Sequence, residues 1–418
     1  MKMCDKLLIW SWALTLTASV FVEHACAATN TAASCSLSAV TAAIAASSDG
    51  DTVIVPAGSA TWESAITVTK AISIIGAGTN STFITSGSGD YVLDFSPSND
   101  KPIRLSKFNF SISNTSHTLV YVGATHSPVT AFRVDHCWFN RGARALYAPN
   151  YCYGVIDHCT FVNSPMAIGL DADNDTSWSR PIVPGTTNTV VIEDNLFRID
   201  GSYADDFGDM ILQQQGSRAC TRFNTFDATG NTHNACWWES HGNEGYVTDP
   251  VTHNPTSPPH YRGQPLLELY GNTFTHYTAY RLFQIRGGST LAYSNTVTQT
   301  TGSRPAYFYL WEEEAWQTAF FNPLRTVWPA DDQITNTFFW ANTYNGSAVT
   351  ASDVYFDLYP NPNPFIQENR DFWMQAPNST NGRPAGIYSS YTPLVYPHPR
   401  VKAEDKPQPP KNLRVVTP

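Results

Sequence analysis

One short phrase returns along the middle of this chain: Asp-His-Cys137-Trp-Phe, Asp-His-Cys159-Thr-Phe, Glu-Asp-Asn195-Leu-Phe, Arg-Phe-Asn224-Thr-Phe, Tyr-Gly-Asn272-Thr-Phe, Tyr-Ser-Asn295-Thr-Val. Successive marks are separated by 22, 36, 29, 48 and 23 residues. A shortest spacing in the low twenties, with a small polar residue followed at fixed phase by an apolar one, is the signature of stacked coils. Short β-branched and aromatic runs precede the marks, as at Val155–Ile156, Thr189–Ile192 and Leu266–Leu269, and no helical period competes with them. The expected fold is all-β: a single-stranded, right-handed parallel β-helix, with Asn and Cys stacked in a ladder along one turn.

The ends of the chain differ from this body. Lys2 and Lys6, an apolar run from Leu7 to Val22 and the small-residue sequence Ala25-Cys26-Ala27 predict a secretory signal peptide over 1–27. The expected product is secreted, without a membrane span, since no later apolar run is long enough to cross a bilayer. The sequence then divides into a β-helix with an N-terminal cap (28–345), an aromatic and Pro-rich C-terminal cap (346–390) and a Pro-rich tail or linker (391–418). The closing Pro-Pro-Lys-Asn-Leu-Arg-Val-Val looks like the entry strand of a fibronectin type III module that this chain lacks.

Formal net charge is −10, which argues against nucleic acid as a partner. No lysine occurs between Lys107 and Lys402, so the repeat body draws positive charge from arginine and histidine. Six cysteines remain after removal of the leader, an even number suited to an oxidising compartment. Stacking on adjacent coils about 4.8 Å apart would bring Cys137 and Cys159 within disulfide range. Cys220 with Cys236 forms the second candidate pair, and buried free thiols in a ladder are the alternative.

Residues 35–58, with Asp-Gly-Asp-Thr-Val-Ile-Val-Pro-Ala-Gly at their end, read as an Ala-rich helix, a turn and a strand, and the short strands Ile66–Val68 and Ile72–Ile75 and the turn Gly76-Ala77-Gly78 follow. Here, and over roughly 35–345, the chain resembles the pectate-lyase-like right-handed β-helix superfamily of secreted proteins. That resemblance implies the fold, and an activity on polysaccharide as partner. Fold alone does not choose the activity.

The long gaps place insertions at about 171–185 and 243–263, on the side of a solenoid that commonly binds. Aligning offsets from the marks puts Asp173, Gln215, His241 and Arg286 at one height on successive coils. Two residues earlier, on the same face, stand Asp171, Gln213, Glu239 and Gln284, with Ala172, Gln214, Ser240 and Ile285 pointing inward between them. These columns are the expected site. An acidic polysaccharide cleaved by β-elimination needs a base and a group that neutralises the uronate carboxylate. His241 is the easier base near neutral pH, whereas the resemblance implies Arg286. Glu239 stands beside them. Arg262 and Arg281 would hold carboxylates, Gln213, Gln215 and Gln284 sugar hydroxyls, and Trp237 a sugar face. Asp171, Asp173 and Glu239 could hold Ca²⁺ or substrate, and the loop from Asp171 through Asp175 offers further oxygens.

A second expectation is hydrolysis. The polygalacturonase-like glycosidases of this fold carry ordered motifs that Asp173-Asn-Asp175, Asp205-Asp206, Ser240-His241-Gly242 and Gln284-Ile-Arg286 match in part, with arginine where the final lysine would stand. Asp173, Asp205 and Asp206 would then be the acid and base. A non-catalytic adhesive surface protein is the third class.

Overall fold

The computed structural model describes residues 27–87, 91–112, 117–173, 175–203, 207–240, 263–311, 328–329, 333–356 and 365–401. Three long sheets of twelve, eleven and ten strands run the length of the molecule, each ordered by successive coils. Every strand pair in them is parallel except Thr343–Tyr344 with Ser347–Ala348. This is a parallel β-helix, as the spacing of the repeated phrase requires. Among the described residues no helix is long and apolar enough to cross a membrane.

The phrase encodes two internal stacks at once. Its third residue builds the ladder: the backbone N–H of Asn195 donates to Asn224 Oδ1, that of Asn224 to Asn272, that of Asn272 to Asn295 and that of Asn295 to Asn342, all at 2.9–3.1 Å. Its fifth residue builds an aromatic column, Phe139, Phe161, Phe197, Phe226 and Phe274, with ring centroids 4.4–5.0 Å apart. Asn342-Thr-Tyr344 is a further mark, hidden in the sequence by the long stretch after Asn295. The residue before each mark takes the left-handed conformation: His136, His158, Asp194, Phe223, Gly271, Ser294 and Ala341 all have φ between 51° and 67°. Only one of these is glycine, so the buried ladder bonds hold a turn that side chains disfavour.

Both ends of the solenoid are covered. Helix Leu37–Ala46 starts at Ser36, whose hydroxyl accepts from Ala39 N, and buries Val40, Ala43 and Ile44 over the first coil. At the other end Phe365, Ile366 and Phe372 enter the core. Residues 388–401 then turn back along the outside of the twelve-stranded sheet. Tyr391 donates to Glu268, Tyr396 to Asp194, and His398 N to Glu193. Arg222, fully buried, pairs with Glu193 and donates to the carbonyls of Leu394 and Val395. Residues 402–418 and the leader up to 26 lie outside the described residues.

The expected disulfides are absent. Cys137, Cys159, Cys220 and Cys236 are all free and buried. Cys137 and Cys159 do stack in the ladder, but their Sγ atoms turn to carbonyls instead, Cys159 to Asp157 O at 3.4 Å and Cys137 to Asp135 O at 3.4 Å. Equivalent positions on parallel coils have parallel Cα–Cβ bonds, so their Cβ atoms keep the coil spacing of about 4.8 Å and do not converge as a disulfide demands. Cys220 lies under the returning C-terminal segment, beside Val191 and Leu394, whereas Cys236 sits beside the ten-stranded sheet. They occupy different sides of the solenoid.

Candidate active site

The ten-stranded sheet carries the candidate residues. Its register places Tyr121, Tyr147, Gly169, Leu212, Glu239, Gln284, Tyr309 and Tyr355 side by side on successive coils. Their strand neighbours Ile168, Ile211, Trp238, Phe283 and Phe308 fill the core, so alternation turns this column outward.

Glu239 is the centre of the site. It is buried, and its two oxygens are shared between two guanidiniums: Arg281 Nη2 donates to Oε2 at 3.1 Å, and Arg286 Nη2 pairs with Oε1. Arg286 lies over the Trp311 ring at 4.9 Å, and Arg281 over Tyr280 at 4.8 Å. Burial works against the charge of Arg281, but the Glu239 carboxylate beside it raises the pKa above the ordinary arginine value. Gln284 stands next to Glu239, fully buried, and among the described residues neither end of its amide is hydrogen-bonded. Stranding such groups costs about 1–3 kcal/mol each, which marks a place where water or a ligand completes the site.

Three further residues stand here: Asp209 and Tyr280, not singled out in the sequence, and Cys236, expected there only as a disulfide partner. Asp209 and Cys236, with Glu239, bring an oxygen, a sulfur and an oxygen within 4.8 Å of one another. Burial pushes the Cys236 thiol up to about 12, helped by the charge of Asp209. This set fits Ca²⁺ poorly: it offers a thiol where a hard cation wants oxygens, and two arginines already neutralise Glu239. Tyr280, the third, is half-exposed, with its phenol pKa raised chiefly by burial. No local motif announces these residues; only the stacking of distant coils gathers them.

Strand pairing sets Glu239 beside Gln284, as the columns require, and displaces Asp171, Asp173, Gln213 and Gln215. Strand pairing sets Leu212, not Gln213, beside Glu239. Gln213 points inward, donating to the carbonyls of Ser217 and Leu266. The left-handed pair Gln215 (φ 52°) and Gly216 adds one residue to that turn. Gln215 Nε2 instead donates to Asp171 at 3.1 Å. Asp171 is displaced by two, because the small sheet Asn234–Ala235 with Thr278–Ala279 lengthens the later coils before the column but not the earlier one. It therefore stands at the height of Gln214 and Arg286, buried, accepting from Tyr147 OH at 2.5 Å. Burial pushes its carboxyl up to about 6. Asp173 is held by Arg180 in the insertion, away from Asp171's partners. Trp237 belongs to the core, its indole N–H donating to His276 Nδ1 at 3.1 Å. His241, Arg262, Asp205 and Asp206 lie outside the described residues, as does the side chain of Asp175.

No family model matches this chain, and no curated protein matches it by sequence. Several solved structures are similar to it over about four fifths of its length. An alginate lyase from Paenibacillus sp. str. FPU-7 is 11% identical, over 79% of this chain and 98% of its own, with a TM-score of 0.41. ORF18 of Geobacillus virus E2 is 15% identical, over 77% of this chain and 56% of its own, with a TM-score of 0.39. The catalytic domain of a GH87 alpha-1,3-glucanase in complex with nigerose is 14% identical, over 81% and 66%, with a TM-score of 0.34. The chain thus spans little more than half the length of the viral protein. These are likenesses of fold.

Proposed function

We propose that this chain is an exported polysaccharide lyase that cleaves an acidic polysaccharide by β-elimination. The observation that carries the reading is the pair Arg281 and Arg286, both oriented by the buried carboxylate of Glu239 beside the unpaired amide of Gln284. Elimination begins when a uronate carboxylate is neutralised, so that the proton on the adjacent carbon becomes acidic. Arg281 and Arg286 supply that positive charge, and Gln284 takes a sugar hydroxyl. A base removes the proton, the electron pair forms the new carbon–carbon double bond, and the glycosidic oxygen leaves and is protonated.

Arg286 is the weaker of the two candidate bases. Its guanidinium pairs with Glu239 and lies over Trp311, and both contacts stabilise the protonated form. His241, which directly follows Ser240 in the chain, is the base in this reading. Tyr280, half-exposed beside Arg281, donates the proton to the leaving oxygen.

Hydrolysis is the second reading, favoured by one observation. Carboxylate oxygens of Asp209 and Glu239 lie within 4.8 Å, close to the separation of about 5–5.5 Å found in retaining glycosidases. The test runs polyuronates and neutral glycans in parallel, with calcium and with chelator, following ultraviolet absorbance of the unsaturated product and release of reducing ends. Absorbance that disappears in His241→Ala and falls at least a hundredfold in Arg281→Ala supports elimination. Reducing ends without absorbance, lost in Asp209→Asn, establish hydrolysis and overturn it.

A further inference from the structure

The position that carries Arg281 is occupied by arginine once more, four coils nearer the N-terminus. Arg281 precedes its column residue, Gln284, by three; Arg144 precedes Tyr147 by three. Strand pairing joins the two column residues through Gly169, Leu212 and Glu239, and it sets Arg144 level with Met166. Four coil steps of about 4.8 Å separate the two guanidiniums by roughly 19 Å.

The surroundings of Arg144 are those of a binding platform. Its guanidinium lies 4.5 Å over the Tyr147 ring, and its Nε meets the Met166 sulfur at 3.0 Å. Among the described residues no carboxylate forms an ion pair with it, unlike Arg281. Tyr121 stands one coil further along, its ring centroid 5.6 Å from that of Tyr147. Gly169 permits this arrangement: a Cβ there would come within 2.9 Å of the Tyr147 ring and 3.2 Å of Arg144 Cδ. Behind the ring, Asp171 accepts from Tyr147 OH and Gln215 through Oδ2, while its buried Oδ1 has no partner among the described residues.

We propose that Arg144, Tyr121, Tyr147 and Asp171 form a second subsite of the same surface, which holds a uronate unit of the polymer about four units away from the one at Arg281. Arg144 takes the carboxylate and the tyrosine rings take a sugar face, with Asp171 holding Tyr147 through its hydroxyl. The coil spacing is close to the length one pyranose adds to a chain, so a polyuronate lying along the sheet presents its units in step with the coils. Asp209, midway between the two arginines, meets a hydroxyl of the intervening stretch. The proposal rests on the reading of an acidic polysaccharide, and it extends that reading to a substrate of at least about five consecutive units, counted from the coil spacing.

The experiment measures binding apart from cleavage. Full-length protein is run in gels cast with polygalacturonate, alginate or neutral glucan, and titrated calorimetrically with uronate oligomers of defined length. Arg144→Gln and Tyr147→Ala are compared with wild type, with Tyr147→Phe as the milder variant and melting temperature as the check on folding. The expected result is about tenfold weaker binding of long oligouronates by Arg144→Gln, with the affinity gain from short to long oligomers lost. Tyr147→Phe keeps the ring and loses less. Wild-type affinity in Arg144→Gln overturns the subsite even if cleavage is observed. If the wild type binds polyuronate without cleaving it and Arg144→Gln loses that binding, the subsite stands and the lyase reading falls. No retardation of the wild type by either polyuronate overturns both.

Discussion

Replacing Asn224 by alanine removes one rung from the middle of the ladder, and its cost can be worked out bond by bond. Asn224 Oδ1 accepts from the backbone N–H of Asn195 at 2.9 Å and from its Nδ2 at 3.0 Å. Asn224 Nδ2 donates to Ile192 O at 2.8 Å, Arg222 O at 3.0 Å and Asn272 Oδ1 at 3.0 Å. The side chain is 1% exposed, so water does not replace these partners. Stranding the Asn195 N–H costs about 1–3 kcal/mol, and the net bonds lost to the two carbonyls add about 0.5–1.5 kcal/mol each. The expected loss is therefore about 2–6 kcal/mol, read from the urea midpoint by tryptophan fluorescence. Thr225→Ala, next in sequence but exposed, is expected to cost less than about 0.5 kcal/mol. Asn224→Cys should fall between, because Cys159 already serves at this phase with a weak S–H donor and no amide oxygen. Stability in stacked coils resides in interfaces between neighbours, so faster hydrogen exchange should appear first at Asn195 and Asn224. A loss below about 1 kcal/mol for Asn224→Ala would refute the ladder as a source of stability.

Two further outcomes follow from buried charge. Arg222→Met leaves Glu193 buried without its cation and frees the carbonyls of Leu394 and Val395, which should cost about 3–5 kcal/mol and open residues 388–401 to limited proteolysis. Adding Glu193→Leu should recover part of that loss; equal stability of the single and double variants would show that the stranded carboxylate is not its cause. His276, held down to about 4 by burial, stays neutral when folded and takes up a proton on unfolding. Its pKa lies below the ordinary histidine value, so its contribution is present above about 6.5 and is lost as pH falls toward 4. The stability difference between wild type and His276→Gln should therefore shrink on acidification, by an amount on the order of 3 kcal/mol. His158 has the opposite sign: its hydrogen bond to Asp157 raises its pKa, so its contribution is full below about 6.5 and is lost as pH rises through the folded value. Melting temperatures of His276→Gln and His158→Gln against wild type, from pH 4 to 9, check both signs. A pH-independent difference in either variant would contradict the assignment.

The repeated phrase determined the fold, because it lists, in order, a left-handed turn residue, a ladder residue and an inward aromatic. Each is a local requirement that stacked coils impose on every turn alike, and each can be read without knowing which coils are neighbours. The N-terminal cap was legible for the same reason: Ser36 and the Ala-rich run after it form a helix by local preference. Glu239 and Gln284 were placed side by side, as strand pairing has them. Gln213 and Asp171 were misplaced by one and two residues, since an added residue at Gln215–Gly216 and the small sheet at Asn234–Ala235 change the count without changing the phrase.

What only the tertiary structure decided is which side chains meet across coils. Asp209, Cys236, Glu239 and Arg281 are up to 72 residues apart in the chain and adjacent in space. Arg144 looks ordinary in sequence and becomes the counterpart of Arg281 only once strand pairing is known. The ladder thiols could be read as a disulfide or as free, and the parallel direction of their Cα–Cβ bonds settled the matter. A sequence carries the rules of one coil. The register between coils depends on turn lengths that no single coil contains, and the site is built from that register.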